Sequence, residues 1–413
     1  MRTNNKMETF SMEKEDSAAP RISLPALLLL FLKIGTIGFG GGMAVIALME
    51  QDLVTRKHAI DSEEFLHGVG MAQVLGPFAP NTALFVGNRL YGVFGGLACA
   101  IAFLLPSVTL VILLSWLYFE FHAIPALQSA IGGLGPVVIA LILSAAWSMG
   151  RKAVHSWPTA LVGLASLGIS LLKINAVYVL IAAGIIGLLA GKQRLSGGGG
   201  GNSHSANPPD APSQTQTKSS KPFSASGLAI LPSMGAAATG ASLSGIAMSF
   251  IKIGCVFFGG GFVLVPILHQ NLVSTLHWLT PQEFLDGVAI SNLTPGPIAV
   301  LATFTGFHLH GVSGAVVATL GLFAPAFILM TLLSHEYARF KEGQRFQDFL
   351  AGVTPAVVGL IVSAAVLLTP GALRDLPSWG LMIFSLFLLI RLKWHPVWVL
   401  TIGSIIGAVG LVH

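Results

Sequence analysis

Long apolar stretches alternate along this chain with short polar ones. Apolar runs recur at Leu24–Leu48, Val93–Trp116, Ala315–Leu333 and, with its flanks, Val137–Met149. A helix needs about 20 apolar residues to cross the hydrocarbon core of a bilayer. The pattern therefore predicts membrane-crossing α-helices joined by short polar loops. It leaves no room for a large water-soluble domain. Two stretches break it. Residues 1–22 form a polar tail of mixed charge, without the short apolar core and small-residue cleavage site of a signal peptide, and are expected to be retained. Residues 191–241 are rich in Gly, Ser, Pro and Gln and read as a disordered tether.

The two long apolar regions are copies of each other. FLKIGTIGFGGGM (Phe31–Met43) matches FIKIGCVFFGGGF (Phe250–Phe262) at eight of thirteen positions, at an offset of 219. The same offset relates Glu64 to Glu283, Gly87 to Gly306, Pro106 to Pro325 and Pro136 to Pro355, and it slips to 220 at Val179 and Val399. Biased composition does not align Lys, Glu, Pro and glycine triplets over such a span. The expected domains are the tail at 1–22, a first repeat at 23–190, the tether at 191–241 and a second repeat at 242–413.

Charge adds orientation. In the first copy Arg56, Lys57, Arg89, Arg151 and Lys152 flank the spans, and the loop around Glu120 has no Lys or Arg. In the second copy that same loop holds Arg339, Lys341 and Arg345, and the counterparts of Arg56/Lys57 and Arg89 carry none. Basic residues favour the cytoplasmic side, so the reversed bias predicts repeats of inverted topology, a common transporter design. Inversion requires an odd number of crossings per unit. One route is for Glu64–Gly87 and Glu283–Gly306 to be re-entrant, entering and leaving on one face. The expected fold is an all-α polytopic membrane protein of two homologous, inverted helical repeats with broken or re-entrant helices.

Composition narrows the chemistry. Hydrophobic residues make up 54% and charged residues only 9%, and the net charge of +5 is too modest to suggest nucleic acid. Cys99 and Cys255 both sit in apolar segments and read as packing residues. No CxxC, HExxH, Walker or dinucleotide glycine loop occurs. ATP-driven and metalloenzyme readings have no support, and no cofactor or metal is expected.

Three paired features remain. Lys33 and Lys252 lie inside apolar runs. Lys33 is 12 residues past Arg21, about 18 Å along a helix, where a cation costs about 2.5–3.5 kcal/mol. Seven residues on, each lysine is followed by a glycine triplet, Gly40–Gly42 and Gly259–Gly261. Consecutive glycines let a helix unwind and turn N–H groups towards an anion. The alternative is that the lysines snorkel and the glycines permit close packing. Next come two broken segments, Ala72–Gly87 and Ser291–Gly306. Gly76-Pro77 and Pro295-Gly296-Pro297 interrupt a helix there, and each break exposes a new helix N-terminus that attracts anions. Gln73, Asn81, Asn292 and Thr294 supply neutral hydrogen bonds nearby; a structural kink is the alternative. Last, Glu64 and Glu283 are candidate proton acceptors, or ordinary helix-start carboxylates.

Lysine followed by F-GGG in each half, then a Gly-Pro or Pro-Gly-Pro break, in a basic two-half chain, resembles the long-chain members of the chromate ion transporter family. The resemblance covers about Leu24–Ala190 and Leu243–Val412. It implies a plasma (inner) membrane location and gradient-driven export of chromate without ATP, giving chromate resistance, with sulfate as the isosteric competitor. A second copy of the chain is a further candidate partner. The resemblance carries over onto Lys33, Gly40, Gly41, Gly42, Lys252, Gly259, Gly260, Gly261, Pro295, Gly296 and Pro297. Family members usually read Pro-Gly-Pro in the first half too, where this chain has Leu75-Gly76-Pro77. A sulfate transporter and an oxyanion channel stay open as alternatives.

Overall fold

The computed structural model describes residues 22–38, 42–121, 125–153, 156–172, 174, 176–196, 241–257, 261–333 and 344–410. Among these the ordered elements are all helical. The first repeat comprises α1 (Leu24–Ile37), α2 (Gly42–Glu50) extended by a π turn (Gln51–Arg56), α3 (Ser62–Val74), α4 (Phe78–Phe121), α5 (Pro125–Gly132), α6 (Leu134–Ala153), α7 (Trp157–Leu171) and α8 (Ala176–Ser196). The second begins with α9 (Leu243–Val256), then a 3₁₀ turn (Gly261–Val263), α10 (Leu264–Leu268) and a π turn (His269–Thr275). It continues with α11 (Pro281–Leu293), a 3₁₀ turn (Ile298–Val300) leading into α12 (Leu301–Leu333), then α13 (Gln344–Ala372), α14 (Leu376–Ile390) and α15 (Pro396–Ala408). The apolar run Leu24–Leu48 is thus two helices, parted between Ile37 and Gly42. Of the stretch read as a tether, residues 191–196 continue α8, and residues 197–240 lie outside the described residues.

Four helical stretches are long and apolar enough to cross a membrane: Phe78–Phe121, Ser129–Arg151, Ile298–Leu333 and Ala351–Ala372. Large apolar side chains stand exposed along them, Phe94 at 88% and Leu332 at 67% among them. In water such a surface would drive aggregation; in lipid it costs nothing.

The predicted re-entrant segments are antiparallel helical hairpins. A Cβ on Gly68 of α3 would overlap the ring of Phe85 in α4, and Glu64 is ion-paired with Arg89. Residues roughly equidistant from the Gly76-Pro77 break therefore face each other. In the second repeat a Cβ on Gly287 would lie 2.6 Å from the Phe304 ring. Each hairpin then turns again. Gly92 (φ 68°) and Gly311 (φ 59°) reverse the chain within α4 and α12, in a conformation that favours glycine. Across the second turn the hydroxyls of Thr303 and Thr319 are 2.7 Å apart. The chain therefore dips in, comes back out, and only then crosses along the long arm, residues 93–121 or 312–333.

One helix establishes the inversion. At the start of the long arm of α4, Tyr91 donates from its hydroxyl to the Ile22 carbonyl (2.5 Å), beside the Glu64–Arg89 mouth of the first hairpin. Near its end Tyr118 donates to Asp286 Oδ2 (2.8 Å), and Phe119 packs on Phe304 and His308, at the mouth of the second hairpin. Midway, Ser107 donates to the Pro295 carbonyl (2.5 Å) at the second hairpin's tip. The two hairpins enter from opposite faces and their tips meet in the middle. Arg89 stands at the first mouth with Glu64, and Arg56 and Lys57 lie just before α3, which begins there; Arg339 and Lys341 lie outside the described residues, as does the side chain of Arg345. In a background without Cys99 and Cys255, single cysteines at Lys57 and Arg89 are expected to label from one face, and those at His277 and His310 from the other. Labelling of all four from one side would overturn the inversion.

The last two helices of each repeat lie on the other repeat. Helices α7 and α8 pack on α13, and α14 and α15 pack on α5 and α6. Equivalent glycines permit both crossings. A Cβ on Gly352 would come within 2.8 Å of the Gly187 nitrogen, and one on Gly133 within 2.8 Å of the Gly407 nitrogen. Backbones approach this closely only where neither side chain intervenes.

Candidate functional site

The hairpin tips and the breaks after α1 and α9 converge on one interior cavity of about 220 Å³. Two helix starts line it, Phe78 of α4 and Ile298 of the turn leading into α12, together with Gly42 and Gly261, the first described residues of α2 and of the turn before α10. The first N–H groups of a helix have no intrahelical partner, and the dipole makes that end positive. The helix starts at Phe78 and Ile298 thus bring N-terminal N–H donors of both hairpins to one space. Gly76 (φ 118°) and Gly296 (φ 114°) make the two hairpin breaks, and the Gly296 N–H donates to the Gly38 carbonyl across the repeats (3.3 Å). Such non-helical backbone is tolerated at membrane depth where protein or a water-filled cavity covers it.

The structure brings together part of the sequence-predicted set. Gly42, Pro77, Gly261, Asn292, Thr294, Gly296 and Pro297 line the cavity. Gly76 and Pro295 are buried beside it without lining it; the Pro295 carbonyl is held by Ser107. Asn81 is fully buried and donates to the Leu75 carbonyl (3.3 Å), bracing the first break from behind. Gln73 is exposed. Gly40, Gly41, Gly259 and Gly260 lie outside the described residues.

The lysines point elsewhere. The buried face of α1 carries Leu27, Phe31, Ile34 and Gly35, and that of α9 carries Ile246, Phe250, Ile253 and Gly254. Lys33 and Lys252 are exposed and do not line the cavity. The paired glutamates stand at the hairpin mouths. Glu64 pairs with Arg89, while Glu283 accepts from the Thr280 hydroxyl and amide (2.8 Å each) in a capping box at the start of α11. Both are about 18 Å along a helix from the breaks.

Sequence reasoning missed Ser291 and His395, which also line the cavity. Ser291 sits one residue before Asn292 and was within reach. His395 arrives through the exchange of terminal helices between repeats, which no local pattern announces. It caps α15, its Nδ1 accepting from the Val397 amide (3.4 Å).

Inverted repeats whose broken helices meet around an interior cavity define a multi-pass membrane transporter. The family model described as chromate transporter matches residues 25–188 and again 245–408. This chain belongs to the chromate transporter family. It is 31% identical over 367 residues to the probable chromate transport protein of Synechococcus elongatus, covering 87% of this chain and 88% of that one. It is 30% identical over 381 residues to the chromate transport protein of Cupriavidus metallidurans (91% and 90%), and 31% over 398 residues to that of Pseudomonas aeruginosa (92% and 89%). No solved structure matches the chain.

Proposed function

We propose that this transporter exports chromate from the cytoplasm, driven by the membrane potential, and so confers chromate resistance. The observation that carries the reading is the cavity lined by the helix starts at Phe78 and Ile298 and by residues at the breaks of both repeats. Chromate is a tetrahedral dianion, and free N–H groups at positive dipole ends are the donors such an ion needs. Sulfate has the same shape and charge and is expected to compete. Direction follows from physics. Arg89 at the first mouth, with Arg56 and Lys57 just before α3, favours the cytoplasmic side for that mouth. With the interior negative, moving two negative charges outward gains about 4.6 kcal/mol per 100 mV. Export then needs no ATP, whereas uptake would need more than two coupled cations.

Inverted membrane vesicles test this. With the lumen held positive, labelled chromate is expected to accumulate inside, with an equilibrium ceiling of about 10³-fold at 100 mV. Uptake should saturate with concentration, and the gradient should vanish when the potential is collapsed. Uptake indifferent to the potential would overturn electrogenic export. Fast current linear in concentration would replace the carrier by a channel.

A further inference from the structure

The cavity has donors but little charge. Among the described residues that line it, His395 is the ionisable one. The polar side chains beside it are engaged with helix backbone. Ser291 donates to the Gly287 carbonyl (2.7 Å), Thr294 to the Ser291 carbonyl (3.0 Å) and Asn292 to the Val288 carbonyl (2.8 Å). Their hydroxyl protons are spent, so they offer an anion little beyond the second amide hydrogen of Asn292. Other ionisable groups on the surrounding elements do not line the cavity. On α11, Glu283 is held by Thr280, and Asp286 by Tyr118 and Gln282. On the α14 side Asp375 caps Ser378, while Arg391 and Lys393 on the loop before His395 are exposed. Arg151 on α6 and Lys33 on α1 are exposed as well, and α5 carries no ionisable residue.

We propose that His395 is the proton-linked anion ligand of this cavity, its imidazolium supplying the positive charge that a bound oxyanion dianion requires. The inference rests on the cavity being the chromate site. In the neutral ring Nδ1 accepts from the Val397 amide and caps α15. A proton taken from water at Nδ1 removes that acceptor. The ring then carries two N–H donors and a positive charge, and it exchanges the cap for the anion. The proton stays on the ring until the emptied site faces the cytoplasm again, where it returns to the water it came from and the cap re-forms, so the cycle still moves two net negative charges. The first repeat has Asn175 at the equivalent sequence position.

The test is equilibrium binding of labelled chromate to the purified full chain in nanodiscs, wild type against His395→Gln and His395→Arg. Chromate takes up a proton of its own in this range. That affects every protein alike, so the ratio of Kd values isolates the side chain. At about pH 6 His395→Gln is expected to bind about ten- to a hundredfold more weakly than wild type, the worth of a charged hydrogen bond. At about pH 8.5 the ratio should approach one, and His395→Arg should bind tightly at both. His395→Asn, which takes the first repeat's residue, replaces the Gln variant if that fails to accumulate. A ratio that does not change with pH, or an Arg variant that behaves like the Gln one, overturns the proposal. Pumping of chromate by vesicles with a flat ratio overturns it and leaves the export reading intact. Binding with the expected ratio but no vesicle uptake sinks export and keeps His395, whereas absence of chromate binding at any pH sinks both.

Discussion

Gly296→Ala is expected to cut the initial rate of chromate uptake into inverted vesicles about a hundredfold, the scale of a one-ångström misplacement at a reacting site. Two costs combine at this position. The residue sits at φ 114°, where a side chain is strained by about 1–3 kcal/mol. Its new Cβ would overlap the Ser107 hydroxyl and come within 3.2 Å of the Ser107 Cβ. Relaxation is blocked from both sides, because Pro295 and Pro297 each hold φ within a narrow range. Ser107 itself is anchored to the Pro295 carbonyl. The strain therefore pushes the hairpin tip into the cavity. The double variant Gly296→Ala with Ser107→Gly should recover the steric part and keep the backbone part. Gly92→Ala is the internal control: φ is 68°, but nothing lies within 4 Å of the added Cβ, so flux should stay close to wild type. Rates are normalised to protein in the membrane. A Gly296→Ala protein that pumps at the wild-type rate would remove the tip from the transport path.

Much of this site was legible from one sequence because the duplication supplied an internal comparison. Gly-Pro breaks in both copies marked the points where helices stop, and residues of both breaks line the cavity, as do Gly42 and Gly261 of the two triplets. The same comparison hid a detail. Glu64 and Gly87 keep the offset of 219 with Glu283 and Gly306, yet the break glycines Gly76 and Gly296 are 220 apart. The second repeat takes one residue more to reach its break and one fewer to leave it. Its 3₁₀ turn at Ile298–Val300 absorbs the difference.

The lysines were the harder case. Pairing with glycine triplets drew them into the predicted cradle, but helical periodicity argues the other way. Leu27, Phe31 and Ile34 form one stripe at helical spacing, and Lys33 falls off it, about 160° from Phe31 and about 100° from Ile34. What no pattern in the chain could show is the exchange of terminal helices. In lipid every apolar helix face is equally acceptable, so hydrophobicity does not say which repeat α8 or α15 will rest on. Steric fit decides it, and fit is a property of the assembled pair.

The mutual cover of the two repeats carries the other large prediction. Expressed separately, residues 1–218 and residues 219–413 are each expected to fall to background in the membrane, and their co-expression should restore both the protein and chromate uptake. Exposed apolar faces are not the reason, since lipid accepts them. The reason is the broken backbone at mid-depth. In the intact chain Gly38 receives the Gly296 amide, and Gly76 sits against Phe257, where an added Cβ would lie 2.7 Å from the carbonyl oxygen. Each repeat's break is covered by the other's, and a lone repeat would leave those N–H and C=O groups facing hydrocarbon at several kcal/mol apiece. The glycine crossings add to this. Gly352→Leu drives a side chain into the backbone of α8, and Gly407→Leu does the same to α5, each costing about 1–3 kcal/mol or more. In the split system these two substitutions should weaken association of the halves to a similar degree, because they sit at equivalent crossings. Immunoblots of the co-purified halves read the result. Full accumulation of one half by itself, as a monomer, would mean that its breaks are covered from within the repeat.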